Sequence, residues 1–246
     1  MINDIDYLVL NSFSQQENGI KAFSCNPALL MNEKKRSLGF FSERKFNLLD
    51  FTQNTLSFSK AFSNGNIGLT IKHAGNVGYQ ENQFGVYYSK KISENLDIGV
   101  GFFYLSGRAS SFANSFAVST NIGSVIHLSP KVIVGFSVFN PINYCAVERI
   151  KQRIGNKDII GIGYNATNNF FLGLTIIKEE NHPLYFVNGI QYKMNKKAHF
   201  DLGIISKSGS IYVGIGYYLK KIQIKCSFSS HPQLGLSPGL LLSSIE

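Results

Sequence analysis

The side chains through which this chain of 246 residues could do chemistry are sparse and scattered. Its five histidines, His73, His127, His182, His199 and His231, fall in separate segments, none at the spacing of metal ligands. The three cysteines, Cys25, Cys145 and Cys226, form no Cys-x-x-Cys pair, which argues against both a disulfide framework and a zinc site. Cys226 fits the apolar face of a strand, where a small buried thiol is expected. The adjacent carboxylates Glu179 and Glu180 read as a solvated turn. There is no Gly-x-Ser-x-Gly elbow, phosphate loop or His-Glu-x-x-His motif. Gly99-Val100-Gly101 and Gly161-Ile162-Gly163 mimic nucleotide fingerprints, but each lies inside a strand-like run instead of opening a helix. The expectation is a protein that is not an enzyme, with no catalytic, cofactor-binding or metal-binding residues.

Composition narrows the class. Charged residues make up 16% of the chain, against about 25% in an ordinary soluble domain, and apolar residues 44%. The net charge of +9 comes from scattered residues and short basic clusters such as Lys34-Lys35-Arg36, Lys90-Lys91, Lys196-Lys197 and Lys220-Lys221. With no basic helix and no RNA-binding aromatic motif, these read as charges at strand ends, and nucleic acid is not an expected partner. No run approaches the ~18 apolar residues of a membrane helix, which excludes a helical membrane protein and leaves other membrane architectures open. The start of the chain has no basic stretch, and Leu8-Val9-Leu10 is too short for a signal-peptide core, so no leader is read in it.

From about Lys35 onward the hydrophobic period is two. Leu96, Ile98, Val100, Phe102 and Tyr104 share one face, and Asp97, Gly99, Gly101 and Phe103 the other. The pattern returns in Val132-Val134-Phe136-Val138, Ile160-Ile162-Tyr164, Leu172-Leu174-Ile176, Phe200-Leu202-Ile204, Ile211-Val213-Ile215-Tyr217 and Ile222-Ile224-Cys226-Phe228. Such alternation marks strands with one apolar face. Turn signals between them, among them Ser63-Asn64-Gly65-Asn66, Ser129-Pro130-Lys131 and Ser208-Gly209-Ser210, divide the chain into about fourteen strands. These start near Ser37, Leu48, Gly65, Gln80, Asn95, Ala113, Lys131, Lys157, Phe170, Leu184, Ala198, Ser210, Ile222 and Leu236. About 15 residues per strand and turn suits the ~9–11 residues of a tilted membrane-crossing strand. Turns after even-numbered strands are short, and the longest connection, 140–156, follows strand seven, the asymmetry of an outer-membrane barrel.

A soluble sandwich or lipocalin-like barrel would also show one apolar face, but its outer face should be rich in Lys and Glu. Here the second face is mostly Gly, Ser, Thr and Asn, and fourteen apolar faces packed inward would need an unreasonably large core. Turning them toward lipid removes the difficulty, because closure satisfies the backbone. The aromatic pairs Tyr87-Tyr88, Phe102-Phe103, Phe170-Phe171 and Tyr217-Tyr218 then suit interfacial girdles. The expected fold is all-β: an antiparallel transmembrane β-barrel of about fourteen strands over residues 35–246, with residues 1–34 as a short N-terminal plug. Residues 145–154 can form a short surface helix, so Val147, Arg149, Ile150 and Arg153 form a candidate partner-binding loop.

Three short motifs carry a family resemblance. Ala22-Phe23-Ser24-Cys25-Asn26-Pro27-Ala28-Leu29-Leu30 resembles the Asn-Pro-Ala segment that precedes the first strand of FadL-type outer-membrane barrels and of their PorV/PorQ-type relatives associated with type IX secretion. Gly135-Phe136-Ser137-Val138-Phe139-Asn140-Pro141 and Ser230-His231-Pro232-Gln233-Leu234-Gly235 resemble later marks of the small members of that group. The resemblance implies a fourteen-stranded barrel with an N-terminal plug in the outer membrane of a Gram-negative bacterium, and singles out Asn26, Pro27, Ala28, Leu29, Asn140, Pro141, His231, Pro232 and Gly235 as structural motif residues. The family also implies an exported precursor and an aromatic C-terminal residue, and Ser243-Ser244-Ile245-Glu246 departs from the latter.

Two functions follow from the resemblance. One is a non-enzymatic accessory subunit of a secretion or barrel-assembly complex, whose partners are other outer-membrane proteins and membrane lipids. The other is a transporter of hydrophobic small molecules. The short chain and a lumen face that looks small and polar favour the accessory subunit, with the transporter, and its hydrophobic ligand, as the alternative. A passive pore would need an open lumen, which a plug from residues 1–34 opposes.

Overall fold

The computed structural model describes residues 13, 22–33, 35–110, 114–141, 155–195 and 197–245. Fourteen antiparallel strands close on themselves, each paired with its neighbours in sequence and the first with the last. They are β1 (Arg36–Arg44), β2 (Thr52–Phe62), β3 (Gly65–Gly75), β4 (Tyr79–Ser93), β5 (Leu96–Ala109), β6 (Ser115–Ser129), β7 (Val132–Phe139), β8 (Lys157–Asn165), β9 (Phe170–Glu179), β10 (Tyr185–Lys193), β11 (Ala198–Ile205), β12 (Ser210–Leu219), β13 (Ile222–His231) and β14 (Gly235–Ile245). Closure runs from Ser37 opposite Ile245 to Glu43 opposite Gly239. Among the described residues no helix is long and apolar enough to cross a membrane, so the strands do the crossing.

The period-two pattern determines which face meets lipid. Phe102, Ile122, Phe136, Ile160, Leu202, Ile215 and Phe228 all point outward and are exposed, while Asp97, Ser119, Thr175, Gln191, Asp201 and Ser227 point inward and are buried. An apolar belt around a closed barrel with an even number of antiparallel strands is the architecture of the bacterial outer membrane. Connections after even-numbered strands are tight, and β1 begins and β14 ends on that same, periplasmic side; the longer connections lie at the opposite, extracellular end.

Predicted strand starts agree with the observed ones to within two residues except at β2, which starts at Thr52 instead of Leu48. Two 3₁₀ turns, Lys45–Asn47 and Leu49–Phe51, occupy the difference, and Phe46 and Asn47 take positive φ of 54° and 57°. The apolar residues Leu48, Leu49 and Phe51 had resembled strand, but they are exposed on the turns.

Three local expectations are corrected by the direction of the faces. Cys226 is on the apolar face as read, but that face meets lipid, so its thiol is exposed. The aromatic pairs do not all form girdles: adjacent strand residues point oppositely, so Tyr87, Phe103 and Phe171 are buried in the lumen while Tyr88 and Phe102 face out. Glu179 is not in a solvated turn; it ends β9, pointing inward and buried.

Candidate functional site

The described part of the N-terminal segment, residues 13 and 22–33, packs inside the barrel against the lumen wall. Asn26 has extended backbone (φ −138°) and caps the 3₁₀ turn Pro27–Asn32, its Oδ1 accepting the Ala28 N–H at 3.0 Å. Pro27 follows at the first helical position, where its missing N–H costs nothing. The Asn26 Nδ2 donates to the carbonyls of Ser124 on β6 (3.1 Å) and Phe136 on β7 (3.2 Å), so one fully buried amide both starts the turn and fastens it to the wall. The wall makes room for it: a Cβ at Gly123 would strike the Asn26 amide, and one at Gly99 would strike the Pro27 backbone.

Two further asparagines hold the plug by its backbone. Asn121 Nδ2 donates to the Cys25 carbonyl at 3.2 Å. The Ser137 hydroxyl lies 2.8 Å from that carbonyl and 2.7 Å from Asn121 Oδ1, its one proton shared between them. Asn66 Nδ2 donates to the carbonyls of Leu30 and Glu33, both at 2.8 Å. These are buried polar groups that would otherwise be orphaned in the lumen. Glu33, where the plug joins β1, accepts the Ser37 hydroxyl at 2.7 Å. Burial pushes its carboxyl pKa up from 4.5, opposed in part by hydrogen bonding from Ser37 and Ser59.

Plug and wall also meet through apolar side chains, in three buried clusters. Phe13, Ala22, Ala28 and Leu29 pack with Val125 and Ile133. Phe23 and Leu30 pack with Tyr87 and Phe103, and Phe139 joins them. In that cluster the Phe23 and Tyr87 rings are 4.9 Å apart and edge-to-face, and Tyr87 and Phe103 are 5.3 Å apart. Cys25 packs with Ile159, Ile177, Tyr185, Val187 and Ile205. The lumen wall is mostly small and polar, as expected from sequence, but it also carries clusters of large apolar residues where the plug packs. The plug presses closest at Gly99, Gly123, Gly135, Gly161 and Gly163, and large apolar residues pack beside it.

Charged groups that face inward are engaged. At the extracellular end Glu179 bridges Lys157 (2.9 Å) and Lys207 (2.5 Å) and accepts the Tyr185 hydroxyl at 3.0 Å. Asp201 pairs with Lys225 and accepts Gln191 Nε2 at 2.9 Å, with His199 Nε2 3.8 Å away. Asp97 lies 2.8 Å from His127. Among the described residues no three His, Cys, Asp or Glu side chains gather as metal ligands.

The motif residues do not converge on one site. Asn26, Pro27, Ala28 and Leu29 lie in the lumen. Asn140 follows the end of β7 with φ 55° and donates its N–H to the Thr120 carbonyl at 2.7 Å, and Pro141 follows it, exposed. His231 Nδ1 accepts the N–H groups of Gln233 and Leu234 (3.2 and 3.3 Å), organising the turn that contains Pro232, and Gly235 opens β14 with φ +91°. Val147, Arg149, Ile150 and Arg153 lie outside the described residues. Sequence reasoning passed over Phe13, Asn66, Asn121 and Ser137. Their only signal was polar or glycine residues on inward positions, and it has meaning only once the plug is inside.

No protein-family model and no curated protein sequence matches the chain. Solved structures do share its fold. The CymD monoaromatic hydrocarbon channel is 12% identical with a TM-score of 0.65, covering 97% of this chain and 95% of its own. The Pseudomonas putida toluene transporter TodX is 10% identical with a TM-score of 0.67 (92% and 93% covered). A Pseudomonas aeruginosa FadL homologue is 10% identical with a TM-score of 0.64 (94% of each). The chain has a FadL-like fold spanning nearly the whole length of these barrels. They overturn the expectation of a secretion or barrel-assembly accessory subunit: the similar barrels are named as channels and transporters. Neither chain length nor lumen polarity singles out an accessory subunit, because the chain covers almost all of each similar barrel and apolar clusters sit among the polar residues of the lumen.

Two predictions follow from the plug. Asn26→Ala removes a cap and two amide hydrogen bonds, a loss of about 1–3 kcal/mol. The temperature at which the folded barrel converts to the slower-migrating unfolded band should fall, with the ranking of bound ligands unchanged. Unchanged thermal stability with an altered ranking would contradict this role. The raised Glu33 pKa means the folded state holds that proton more tightly than the unfolded chain. Stability should therefore decline as pH rises above about 4.5 through the raised value. Glu33→Gln should flatten that part of the thermal-stability profile, and an equally steep profile in the variant would assign the dependence to other groups.

Proposed function

We propose that this barrel is an outer-membrane channel for small hydrophobic molecules, closed to water and ions by its plug. The observation that carries the reading is the apolar packing between plug and wall, above all the cluster of Cys25 with Ile159, Ile177, Val187 and Ile205. A pore for hydrophilic solutes gains nothing from large aliphatic side chains in its lumen, whereas burying apolar surface favours an apolar cargo by about 25 cal/mol per Å². The fold shared with CymD, a monoaromatic hydrocarbon channel, and TodX, a toluene transporter, supports the same reading.

On this reading the cargo passes along the face between the plug and strands β8–β11. The Lys157–Glu179–Lys207 cluster ties the extracellular ends of these strands together, and the plug's hydrogen bonds at Asn26, Asn66 and Asn121 keep its other faces attached. Passage then requires only that apolar side chains yield, with no polar group left unpaired.

Uptake of radiolabelled toluene by Gram-negative cells lacking other hydrophobic-compound channels tests the proposal. Expression of this chain should raise the rate severalfold over vector alone. A rate equal to the vector control, together with swelling of protein-containing liposomes in sugar solutions, would replace the hydrophobic channel with a hydrophilic pore.

A further inference from the structure

The basic excess of the chain, 24 lysines and arginines against 15 acids, is not spread evenly over the barrel. It gathers at the periplasmic end. Lys35 leads into β1, Lys60 and Lys90 stand near the ends of β2 and β4, and Lys131, Lys197 and Lys220 lie in the turns that follow β6, β10 and β12. All six are exposed, and Lys91 and Lys221 add a second exposed charge beside two of them. A lysine therefore marks every periplasmic connection except residues 166–169, between β8 and β9. Among the described residues Glu94 is the one exposed carboxylate at this end. The extracellular end is mixed instead: Arg44 follows Glu43, Asp158 follows Lys157, and Glu179 bridges Lys157 to Lys207.

The tyrosines of the lipid-facing belt place these charges at the level of headgroups. Tyr88, Tyr164, Tyr192 and Tyr217 are exposed on the outer face near the periplasmic ends of β4, β8, β10 and β12. An aromatic belt of this kind lies at the membrane–water interface. Lys90 shares the outward face of Tyr88 two residues beyond it, about 7 Å along the strand, which carries its ammonium past the interface to the headgroup phosphates. Lys60 shares the outward face of Leu56 and Phe58, and its ammonium lies 4.8 Å from the centre of the Phe62 ring.

The rim charges are also uncompensated. Among the described residues none of the six lysines pairs with a carboxylate. Lys60 is directly opposite Arg36 across the β1–β2 ladder, and like charges so placed repel. An anion between them relieves the repulsion. A soluble protein partner would meet one compact patch, whereas these lysines follow the circumference, and those on β2 and β4 rise from the lipid-facing side of the wall. An ammonium on a flexible stem suits a mobile phosphate, which demands no fixed geometry.

We propose that the periplasmic rim is a docking surface for phospholipids whose headgroups carry net negative charge, of the phosphatidylglycerol class, gathered around the barrel in the inner leaflet. The rim lysines take the phosphates, and Lys60 with Arg36 flanks one of them. The attraction is that of basic side chains for an anionic membrane surface, and salt screens it. It does not depend on what crosses the lumen.

Electron spin resonance of spin-labelled phosphatidylglycerol and phosphatidylcholine tests the proposal, each lipid at trace level in phosphatidylcholine vesicles that hold the full-length protein. The motionally restricted fraction at the barrel surface should favour phosphatidylglycerol severalfold at low salt, and the preference should shrink toward equality in about 1 M NaCl. Lys60→Gln, Lys90→Gln and Lys220→Gln combined should at least halve the preference. The matched extracellular variant, Arg44→Gln, Arg108→Gln and Lys178→Gln combined, removes as much charge and should leave it unchanged. Heat-modifiable migration verifies that each variant is folded, and Lys60→Gln alone, expected to lower the preference by a smaller step, serves if the triple variant does not fold. Equal restriction of the two lipids by the wild type would overturn the proposal and leave the rim to an acidic periplasmic protein. Equal losses in the two triple variants would also overturn it, by assigning the preference to net charge and not to the rim.

Discussion

A chain that crosses lipid with strands must leave no backbone donor or acceptor unpaired at the edge of its sheet. Pairing of β1 with β14 meets that requirement, and the other features of the molecule follow from it. Closure forces every strand to present one face outward and one inward, so the apolar face goes to lipid and the remaining face lines a lumen too wide for strand side chains alone to fill. Residues 13 and 22–33 of the N-terminal segment occupy part of it. Residues 22–33 enter as two tight turns, and the wall gives way to them with glycine at positions 99 and 123 and grips them with Asn66, Asn121 and Ser137.

This division of labour explains why the interior is mixed. Polar contacts fasten the plug where its backbone would otherwise be unsatisfied, and the buried carboxylates Glu179 and Asp201 are paired with lysines. Apolar contacts fill the remainder. Hydrogen bonds are directional and costly to break without replacement, whereas apolar packing can part around an apolar molecule at little cost. The same lumen can therefore hold a plug firmly on its polar sides and pass cargo along the Cys25 face.

Much of this was legible in the sequence. Alternation in segments such as Leu96 to Tyr104 depends only on local geometry, so strand number, strand starts and the lipid-facing residues could be read directly. The exception at β2 arose where Leu48, Leu49 and Phe51 are apolar yet sit on exposed turns at the barrel rim. Asn26-Pro27-Ala28 was legible as a chain-turning motif because capping is also local. The use made of the Asn26 Nδ2 and the seat of Phe13 were not, because each depends on contacts across 50 or more residues of sequence. The functional preference for an accessory subunit failed for the same reason. The small, polar wall was legible, but the apolar clusters that Phe13, Phe23, Cys25 and Leu30 form with it depend on contacts far apart in sequence.

The central claim, that cargo moves along the lumen between the plug and β8–β11, is tested most directly by locking that face. In a chain whose Cys145 and Cys226 are replaced by Ser, Val187→Cys places a second thiol in the cluster around Cys25. A short reducible bis-thiol reagent can then bridge plug to wall. The account predicts that toluene uptake falls to the level of vector-only cells while the bridge is intact and returns when it is reduced. Uptake as fast with the bridge as without it would contradict the account and place the route of hydrophobic cargo outside the plugged lumen.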